Sequence, residues 1–306
     1  MSSRPSTYIM EWLSKSLAVL YGLEEILYSG RTRYQKVDIV RTKDYGLALV
    51  LDGLLQSAEI DEFIYHESLV HPVMLTHPNP RNILVVGGGE GATIREVERY
   101  GSVESITMVD LDGELIEIVR EKLPSWSQGS FNDKRLKLVI SEGRRFLANQ
   151  PDGSYDVIIM DATDPVEWGP AAKLYTKEFY SIAYRKLREE GILVTQASSV
   201  SHSLRTYLSI VRTLGEVFPK TCGYSVYVKS FASLWGFAVG SKDGLPSGLS
   251  GDDIEQRIRD RGVRGLKFYS GRIHEALFSL TDVLTKTWKA EAITLTDEKI
   301  ESGIQL

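Results

Sequence analysis

Hydrophobic and polar residues alternate along the first part of the chain. Between residues 24 and 62, apolar side chains are separated by polar or small ones at Val37, Ile39, Leu47, Leu49 and Leu51. This period of two is typical of strands with one buried face, and the segments 44–46 (Asp-Tyr-Gly) and 52–53 (Asp-Gly) have the composition of tight turns. The pattern predicts a small antiparallel β unit, followed by a helix over about 63–74.

The pattern changes after Pro80, where continuous apolar runs alternate with segments of helical spacing. Such runs are typical of strands buried on both faces, and they occupy 82–89, 105–112, 136–143, 154–164 and 191–198. Their alternation with helices predicts an α/β fold with a doubly wound parallel sheet, closed by an antiparallel hairpin over 223–230 and 235–242. We therefore expect an N-terminal β domain over 1–68 and an α/β domain over 69–306.

Composition narrows the class of protein. The 36 Lys and Arg against 41 Asp and Glu leave a net charge of -5, so no basic excess indicates a nucleic-acid partner. The single cysteine, Cys222, excludes an intrachain disulfide, and the histidines His71, His77, His202 and His274 show no metal-ligand spacing. The first residues lack the pattern of a signal peptide, and no apolar run approaches the length of a membrane span. We expect a soluble cytoplasmic protein with no membrane partner and no metal.

A glycine-rich loop follows the first strand of the predicted parallel sheet. Residues 87–91 (Gly-Gly-Gly-Glu-Gly) lie between that strand and a helix, where a ligand can approach the backbone closely. The second strand ends in Asp110, about twenty residues further on, where a carboxylate can accept both hydrogen bonds of a ribose diol. Loop and acid together predict an adenosine-type nucleoside ligand, although a glycine-rich turn alone can be purely structural. For Asp112 we favour a capping role at the next helix.

Glu90 is the residue of the loop that distinguishes between ligands. Ordinary S-adenosylmethionine would place its own carboxylate near this loop, where Glu90 would repel it. A decarboxylated donor has only an ammonium there, which Glu90 would attract. After the third strand, Glu142 is placed to accept from an adenine amino group. An exposed loop carboxylate is the alternative interpretation for both residues.

Two carboxylates, Asp161 and Asp164, follow the fourth strand in the motif Asp-Ala-Thr-Asp-Pro. They are expected at the carboxyl edge of the parallel sheet, facing the ligand crevice. An alkyl ammonium, which titrates near ~10, must lose a proton before it can attack a carbon next to a sulfonium. One carboxylate can accept or orient that proton while the other holds a distal ammonium. Capping of the next helix is the structural alternative.

With these motifs in place, the sequence resembles the spermidine/spermine synthase family of aminopropyltransferases. The segments that carry the resemblance lie between Trp12 and Lys242, at 31–35 (RTRYQ), 45–56, 61–67 (DEFIYHE), 77–97, 109–112, 161–165 and 169–170. It implies a small N-terminal β domain before a methyltransferase-like Rossmann catalytic domain, assembled as a homodimer or homotetramer. It also implies transfer of an aminopropyl group from decarboxylated S-adenosylmethionine, a co-substrate, to a polyamine, with 5'-methylthioadenosine released and no cofactor.

The resemblance also implies roles for individual residues. Asp161 corresponds to the proton acceptor. The polyamine-binding residues of the family correspond to His66, Glu90, Asp161 and Asp164. The donor-binding residues of the family correspond to Gln35, Gln56, Gly87, Gly89, Asp110, Leu111, Glu142, Gly143 and Pro170.

Three features differ from the usual spermidine synthase pattern. The active-site loop is lengthened by Val166-Glu167-Trp168, Glu142 stands where aspartate is usual, and the segment 229–237 (KSFASLWGF) lacks a tyrosine. The segments 174–177 and 231–236 look more like thermospermine synthases, which use spermidine as acceptor. We therefore expect a triamine to be used at least as well as putrescine, with Glu167 and Trp168 as a second cation site.

Two other classes of enzyme share parts of this pattern. A methyltransferase of similar fold would share the glycine loop, but Glu90 and the paired acids Asp161 and Asp164 argue against it. A nicotinamide dehydrogenase is compatible with Gly87, Gly89 and Ala92 and has no other support in the sequence.

Overall fold

The computed structural model describes residues 7–165, 169 and 171–302 of the chain. Five strands come first, then a regular alternation of strands and helices, and finally three helices that follow the last strand. The strands are β1 Tyr8–Trp12, β2 Ala18–Arg31, β3 Lys36–Thr42, β4 Gly46–Leu51, β5 Leu54–Ala58, β6 Asn82–Gly87, β7 Ser105–Asp110, β8 Leu136–Ile140, β9 Tyr155–Asp161, β10 Leu187–Ser199, β11 Lys220–Val228 and β12 Ser233–Ser241. The α-helices are α1 Glu62–Thr76, α2 Ala92–Glu98, α3 Gly113–Lys122, α4 Pro124–Ser127, α5 Gly143–Ala148, α6 Lys177–Lys186, α7 Leu204–Gly215, α8 Gly251–Asp260, α9 Gly271–Thr287 and α10 Asp297–Glu301.

The N-terminal sheet is antiparallel, with strands in the order β1-β2-β3-β4-β5. The β4–β5 turn has positive φ at Asp52 (48°) and Gly53 (86°), as expected for a tight hairpin turn. The sheet begins at Tyr8, well before the predicted start at residue 24. In β2 the pairing register shifts between Leu23 and Glu25 and again before Tyr28. Each shift moves side chains to the opposite face, which hides the period of two in the sequence.

The second sheet has seven strands in the order β11-β12-β10-β9-β6-β7-β8. Strands β10, β9, β6, β7 and β8 are parallel, and β12 and β11 close one edge as an antiparallel hairpin. The predicted α/β class, with a Rossmann-like sheet after an antiparallel β unit, is confirmed. The chain runs from β6 outward to β8 and then returns to β9, on the other side of β6. Ligands of doubly wound sheets bind at this switch point, where the carboxyl ends of β6 and β9 lie side by side.

Helix α1 joins the two sheets. It packs against α2, β10 and β11 of the second sheet, and twelve of its fifteen residues are buried. The domain boundary expected after residue 68 therefore falls within a helix that packs mainly against α2 and the second sheet. No helix among the described residues is long and apolar enough to cross a membrane.

Candidate active site

The glycine loop and Asp161 are brought together by the pairing of β6 with β9. Gly87 is the register partner of Asp161, and the Gly88 amide donates a 2.9 Å hydrogen bond to the Asp161 carbonyl. A Cβ atom on Gly88 would lie 3.2 Å from Oδ2 of Asp161, and the φ of Gly88 is +77°. A side chain at Gly88 would therefore be strained by the backbone conformation and crowded against the carboxylate, so glycine at this position lets the carboxylate lie beside the loop.

Both oxygens of the Asp161 carboxylate are held by hydroxyl groups. Tyr65 on α1 donates a 2.8 Å hydrogen bond to Oδ1, and Thr93 in the first turn of α2 donates a 2.5 Å hydrogen bond to Oδ2. Tyr65 is in turn packed against Phe231 and Phe237. The carboxylate is thus oriented by two elements that both border the glycine loop, and each oxygen retains a lone pair that can accept a proton.

Asp110 and Asp112 lie at the end of β7, on the other side of the loop. Oδ2 of Asp110 would be 3.2 Å from a Cβ atom on Gly89. Burial, together with repulsion from Asp112 and Asp161, raises the pKa of Asp110 to about 6. Asp112 accepts from the Leu115 amide of α3, so the predicted capping role of Asp112 is confirmed. It also accepts a 2.8 Å hydrogen bond from Gln35 Nε2, which fixes Gln35 beside this strand end.

Glu90 is not an exposed loop residue. Its side chain is 11% exposed, and its Oε1 lies 2.5 Å from Nε2 of His66, which is 2% exposed. Nδ1 of His66 contacts both the carbonyl (2.6 Å) and Oε2 (3.0 Å) of Glu62, one helical turn earlier in α1. Burial raises the pKa of Glu90, and the neighbouring His66 opposes that increase.

Asp164, three residues after Asp161, is held by two side chains of β10. Its two oxygens accept hydrogen bonds from Gln196 Nε2 (3.0 Å) and Ser198 Oγ (3.1 Å). Ser198 has a φ of +64°, and the pairing of β10 with β12 shifts its register between Gln196 and Ser199. Such a bulge re-aims side chains at the end of a strand. Burial raises the pKa of Asp164, while Gln196 and Ser198 partly offset this effect.

The remaining residues expected at the donor site are placed as follows. Both oxygens of Glu142 accept from amides of α5, at Arg144 (2.8 Å) and Arg145 (2.7 Å), so Glu142 caps this helix and Gly143 is its first residue. Gln56 donates to the Leu54 carbonyl within β5, and Leu111 lies between Asp110 and Asp112. Pro170, like Glu167 and Trp168, lies outside the described residues. The donor contacts of these residues stay predictions.

Several residues that contact the predicted site residues were not identified from the sequence, namely Glu62, Tyr65, Thr93, Gln196 and Ser198. Glu62 carried a usable signal, because a glutamate four residues before a histidine in a helix faces it. Ser198 carried none, since a bulge is not visible in a single sequence. No group of three potential metal ligands occurs within residues 7–165, 169 and 171–302.

Comparison with known proteins gives consistent matches over almost the whole chain. A model of the spermine/spermidine synthase domain matches residues 62–247, and a model of the spermidine synthase tetramerisation domain matches residues 7–59. A polyamine aminopropyltransferase 2 of Hyperthermus butylicus is 45% identical over 96% of this chain and 96% of the relative. A polyamine aminopropyltransferase of Sulfolobus acidocaldarius is 42% identical over 89% of this chain and 90% of that protein.

Solved structures agree with these relatives. A spermidine synthase in complex with the transition-state analogue AdoDATO is 32% identical, with a TM-score of 0.86 over 93% of this chain and 96% of the other. A spermidine synthase from Thermotoga maritima is 30% identical, with a TM-score of 0.83 over 93% and 95% of the two chains. On the strength of both domain matches and of relatives above 40% identity, this chain belongs to the spermine/spermidine synthase family.

Proposed function

We propose that the protein is a polyamine aminopropyltransferase that uses decarboxylated S-adenosylmethionine as donor. The amine nitrogen of the acceptor attacks the methylene carbon next to the sulfonium, so a C–N bond forms and the C–S bond breaks. The electron pair of the broken bond goes to sulfur, which leaves as the neutral thioether 5'-methylthioadenosine. The attacking nitrogen loses one proton to Asp161. No electron leaves the two substrates, and the reaction therefore needs no redox cofactor.

The observation that carries this proposal is the position of Asp161 at the switch point. Its carboxylate lies beside the glycine loop and is oriented by Tyr65 and Thr93. A base that must act next to a sulfonium has to be held in a fixed geometry. Asp110 and Glu90 flank the same loop, where a ribose and a donor ammonium would be bound. The named relatives support the same reaction.

Product analysis tests the reaction. The enzyme is incubated with decarboxylated S-adenosylmethionine and, in parallel, putrescine, cadaverine, agmatine, spermidine or norspermidine. We expect 5'-methylthioadenosine and one aminopropylated amine in equal amounts. Ordinary S-adenosylmethionine with the same amines is the control for methyl transfer. A methylated amine with S-adenosylhomocysteine, and no aminopropylated product, would establish the methyltransferase alternative instead.

For the acceptor we propose a triamine such as spermidine, used at least as well as putrescine. A longer amine needs an anionic group beyond Asp164. We propose Glu11 on β1 for this role: burial raises its pKa and the charge of Asp164 adds to that increase, while hydrogen bonds with Leu55 and Tyr21 oppose it. The pairing of Glu11 with Val19 places it on the face of the sheet opposite to that of Met10 and Leu20.

Steady-state kinetics decides between the acceptors. We expect kcat/KM for spermidine to equal or exceed that for putrescine, because a triamine places an ammonium near Glu11 as well as near Asp164. A kcat/KM for putrescine more than tenfold above that for spermidine contradicts the triamine proposal. The aminopropyltransferase assignment does not depend on this result.

We also propose that the protein is a homotetramer or homodimer assembled through the N-terminal sheet. The outer face of β1 and β2 exposes a set of large apolar side chains, at Tyr8 (43%), Met10 (53%), Trp12 (58%) and Leu20 (62%). The register pairs Met10 with Leu20 on this face. Contiguous exposed apolar surface of this kind is typical of protein interfaces. The match to a tetramerisation domain over residues 7–59 supports assembly through this part of the chain.

A further inference from the structure

A row of four buried, charged side chains ends at the donor loop. The guanidinium of Arg95 on α2 forms a two-pronged ion pair with Glu62 on α1, at 3.0 and 2.9 Å. Glu62 contacts Nδ1 of His66 at 3.0 Å, and Nε2 of His66 contacts Glu90. The exposed fractions of these four side chains are 7%, 5%, 2% and 11%. We refer to Arg95, Glu62, His66 and Glu90 as the charge row.

The partners of His66 determine its protonation. Nδ1 faces the carbonyl and the carboxylate of Glu62, and Nε2 faces the carboxylate of Glu90. Carbonyl and carboxylate oxygens only accept hydrogen bonds, so a neutral imidazole would turn one lone pair toward an oxygen. Only the imidazolium donates from both nitrogens. Although burial alone would lower the pKa of His66, Glu90 and Glu62 raise that pKa well above its ordinary value.

An imidazolium repels an ammonium and has no lone pair to offer it. This argues against direct binding of the acceptor amine by His66, the role that the family resemblance implies. We propose that His66 is instead a positioning residue: a permanent imidazolium, held by Glu62 and Arg95, that keeps the carboxylate of Glu90 ionised and aimed at the ammonium of the donor. This inference rests on the proposed aminopropyltransferase function.

Neighbouring members of the charge row keep each other ionised. Burial of Glu90 and the nearby charge of Asp161 both favour its neutral form, in which it would lose its hold on an ammonium. The imidazolium of His66 opposes them. Glu62 in turn is kept ionised by His66 and Arg95, which lower its pKa although burial alone would raise it. The row thus sums to zero net charge before the donor binds.

Within the part of the chain that the structure describes, no further acceptor contacts the His66 ring. Nε of Arg95 also contacts the carboxylate of Glu96 at 2.8 Å, so the Arg95 guanidinium is held by Glu96 as well as by Glu62. The ring of Tyr65 meets His66 edge to face at 5.0 Å, while its hydroxyl is engaged by Asp161. Glu62 and Glu90 are therefore the anionic groups in contact with the ring.

Glu62→Gln is the variant that tests the row. It preserves shape but removes the anion from Nδ1, so His66 should become neutral within the accessible pH range. Calorimetry compares the Kd of decarboxylated S-adenosylmethionine with that of 5'-methylthioadenosine, which lacks the ammonium. Both ligands contain the ribose diol, and the sulfonium and propyl chain of the donor are the same in every measurement. The change of the Kd ratio between the unchanged enzyme and Glu62→Gln therefore reports on the ammonium contribution.

We expect this ratio to be independent of pH between 6 and 8.5 in the unchanged enzyme. In Glu62→Gln the preference for the ammonium-bearing ligand should fall by about tenfold or more as the pH rises over that interval, the size expected for one charge-assisted hydrogen bond. Asp156→Asn is the matched control: Asp156 is a buried carboxylate of β9 that accepts from Arg81, Asn82 and Arg188, at the opposite end of the strand from Asp161. A Glu62→Gln ratio that matches the control at every pH overturns the proposal.

A second measurement does not depend on the stability of a variant. In enzyme labelled with ¹⁵N in its histidine rings, one of the five histidines should show two protonated nitrogens from pH 6 to 9, and His66→Gln should remove that signal. A His66 ring that becomes neutral near pH 7 overturns the inference. This spectrum requires no turnover, so it separates failure of the charge row from failure of the aminopropyltransferase assignment, which product analysis alone decides.

Discussion

Oδ1 of Asp161 accepts a 2.8 Å hydrogen bond from the hydroxyl of Tyr65, between the end of β9 and the first turns of α1. Asp161 is proposed as the base, and Tyr65 orients it. Asp161→Asn should lower kcat by about 10²–10⁴-fold at saturating substrates, the usual cost of losing a general base. Tyr65→Phe retains the base and removes one hydrogen bond, worth about 1 kcal/mol, so its kcat should fall by much less. An Asp161→Asn variant that keeps a near-normal kcat at saturating substrates would exclude Asp161 as the proton acceptor.

Asp110 predicts a pH dependence of nucleoside binding. In the unliganded protein the pKa of Asp110 is raised to about 6, so the carboxylate is ionised above this pH and protonated below it. Because the ionised form is the better acceptor for a ribose diol, the Kd of 5'-methylthioadenosine should increase about tenfold between pH 7 and pH 5. Calorimetry measures this change, and Asp110→Asn should weaken binding at pH 7 and remove the pH dependence. A pH-independent Kd in the unchanged enzyme contradicts the assignment.

Glu90 is predicted to select the decarboxylated donor. Glu90→Gln removes the charge that attracts its ammonium and repels the carboxylate of ordinary S-adenosylmethionine. We expect the binding free energy of the decarboxylated donor to weaken by about 1.5–3 kcal/mol. The ratio between the affinities for the decarboxylated and the ordinary donor should fall accordingly. Titration calorimetry with both ligands measures this preference. Binding of 5'-methylthioadenosine, which has neither group, should change little, and an unchanged preference would falsify the electrostatic explanation.

Glu11 provides a test of acceptor length. Glu11→Gln should raise KM for spermidine by about tenfold, since one charge-assisted contact to the distal ammonium is lost, while KM for putrescine changes little. Glu24→Gln, at an exposed position of β2, is the matched control. If both amines are affected equally, Glu11 does not distinguish between acceptors of different length.

Leu20 tests the proposed assembly. Leu20→Lys places a charge in the centre of the exposed apolar face of β1 and β2, so the tetramer or dimer should dissociate into smaller species. Light scattering coupled to size-exclusion chromatography measures the mass. Val283→Lys, on α9 at a position that is 60% exposed, should leave the assembly intact. An unchanged mass for Leu20→Lys shows that assembly uses another surface.

The sequence predicted the second sheet well because parallel strands buried on both faces appear as continuous apolar runs. The end of β6 at Gly87 and the end of β9 at Asp161 both follow from that rule. The start of the first sheet was missed, since the register shifts of β2 break its alternation. Helix α1 was predicted from the spacing of its apolar residues. That spacing does not indicate which sheet the helix packs against, because packing depends on the tertiary structure.

The acidic residues of the candidate site were named from the sequence, but their hydrogen-bond partners were not. Asp161, Asp164 and Glu90 stand in recognisable motifs, and the structure places all of them around the switch point. Their partners come from distant parts of the chain: Tyr65 is 96 positions from Asp161, and Gln196 is 32 positions from Asp164. Such contacts depend on tertiary packing, so periodicity could not identify them. The charge row is of the same kind, because Arg95 and Glu62 meet only where α1 and α2 pack together.

The direct backbone pairing of Gly87 with Asp161 has an evolutionary consequence. The separation between the donor loop and the base is set by main-chain hydrogen bonds of neighbouring strands, which are common to every sequence that adopts this sheet. Point substitutions can therefore hardly alter the reaction distance. The residues that we propose for the acceptor, in contrast, are held by side chains of the bulged strand β10 and, at Glu11, lie in a separate sheet. Lineages of this family would be free to change the amine they extend while the chemistry of transfer stays the same.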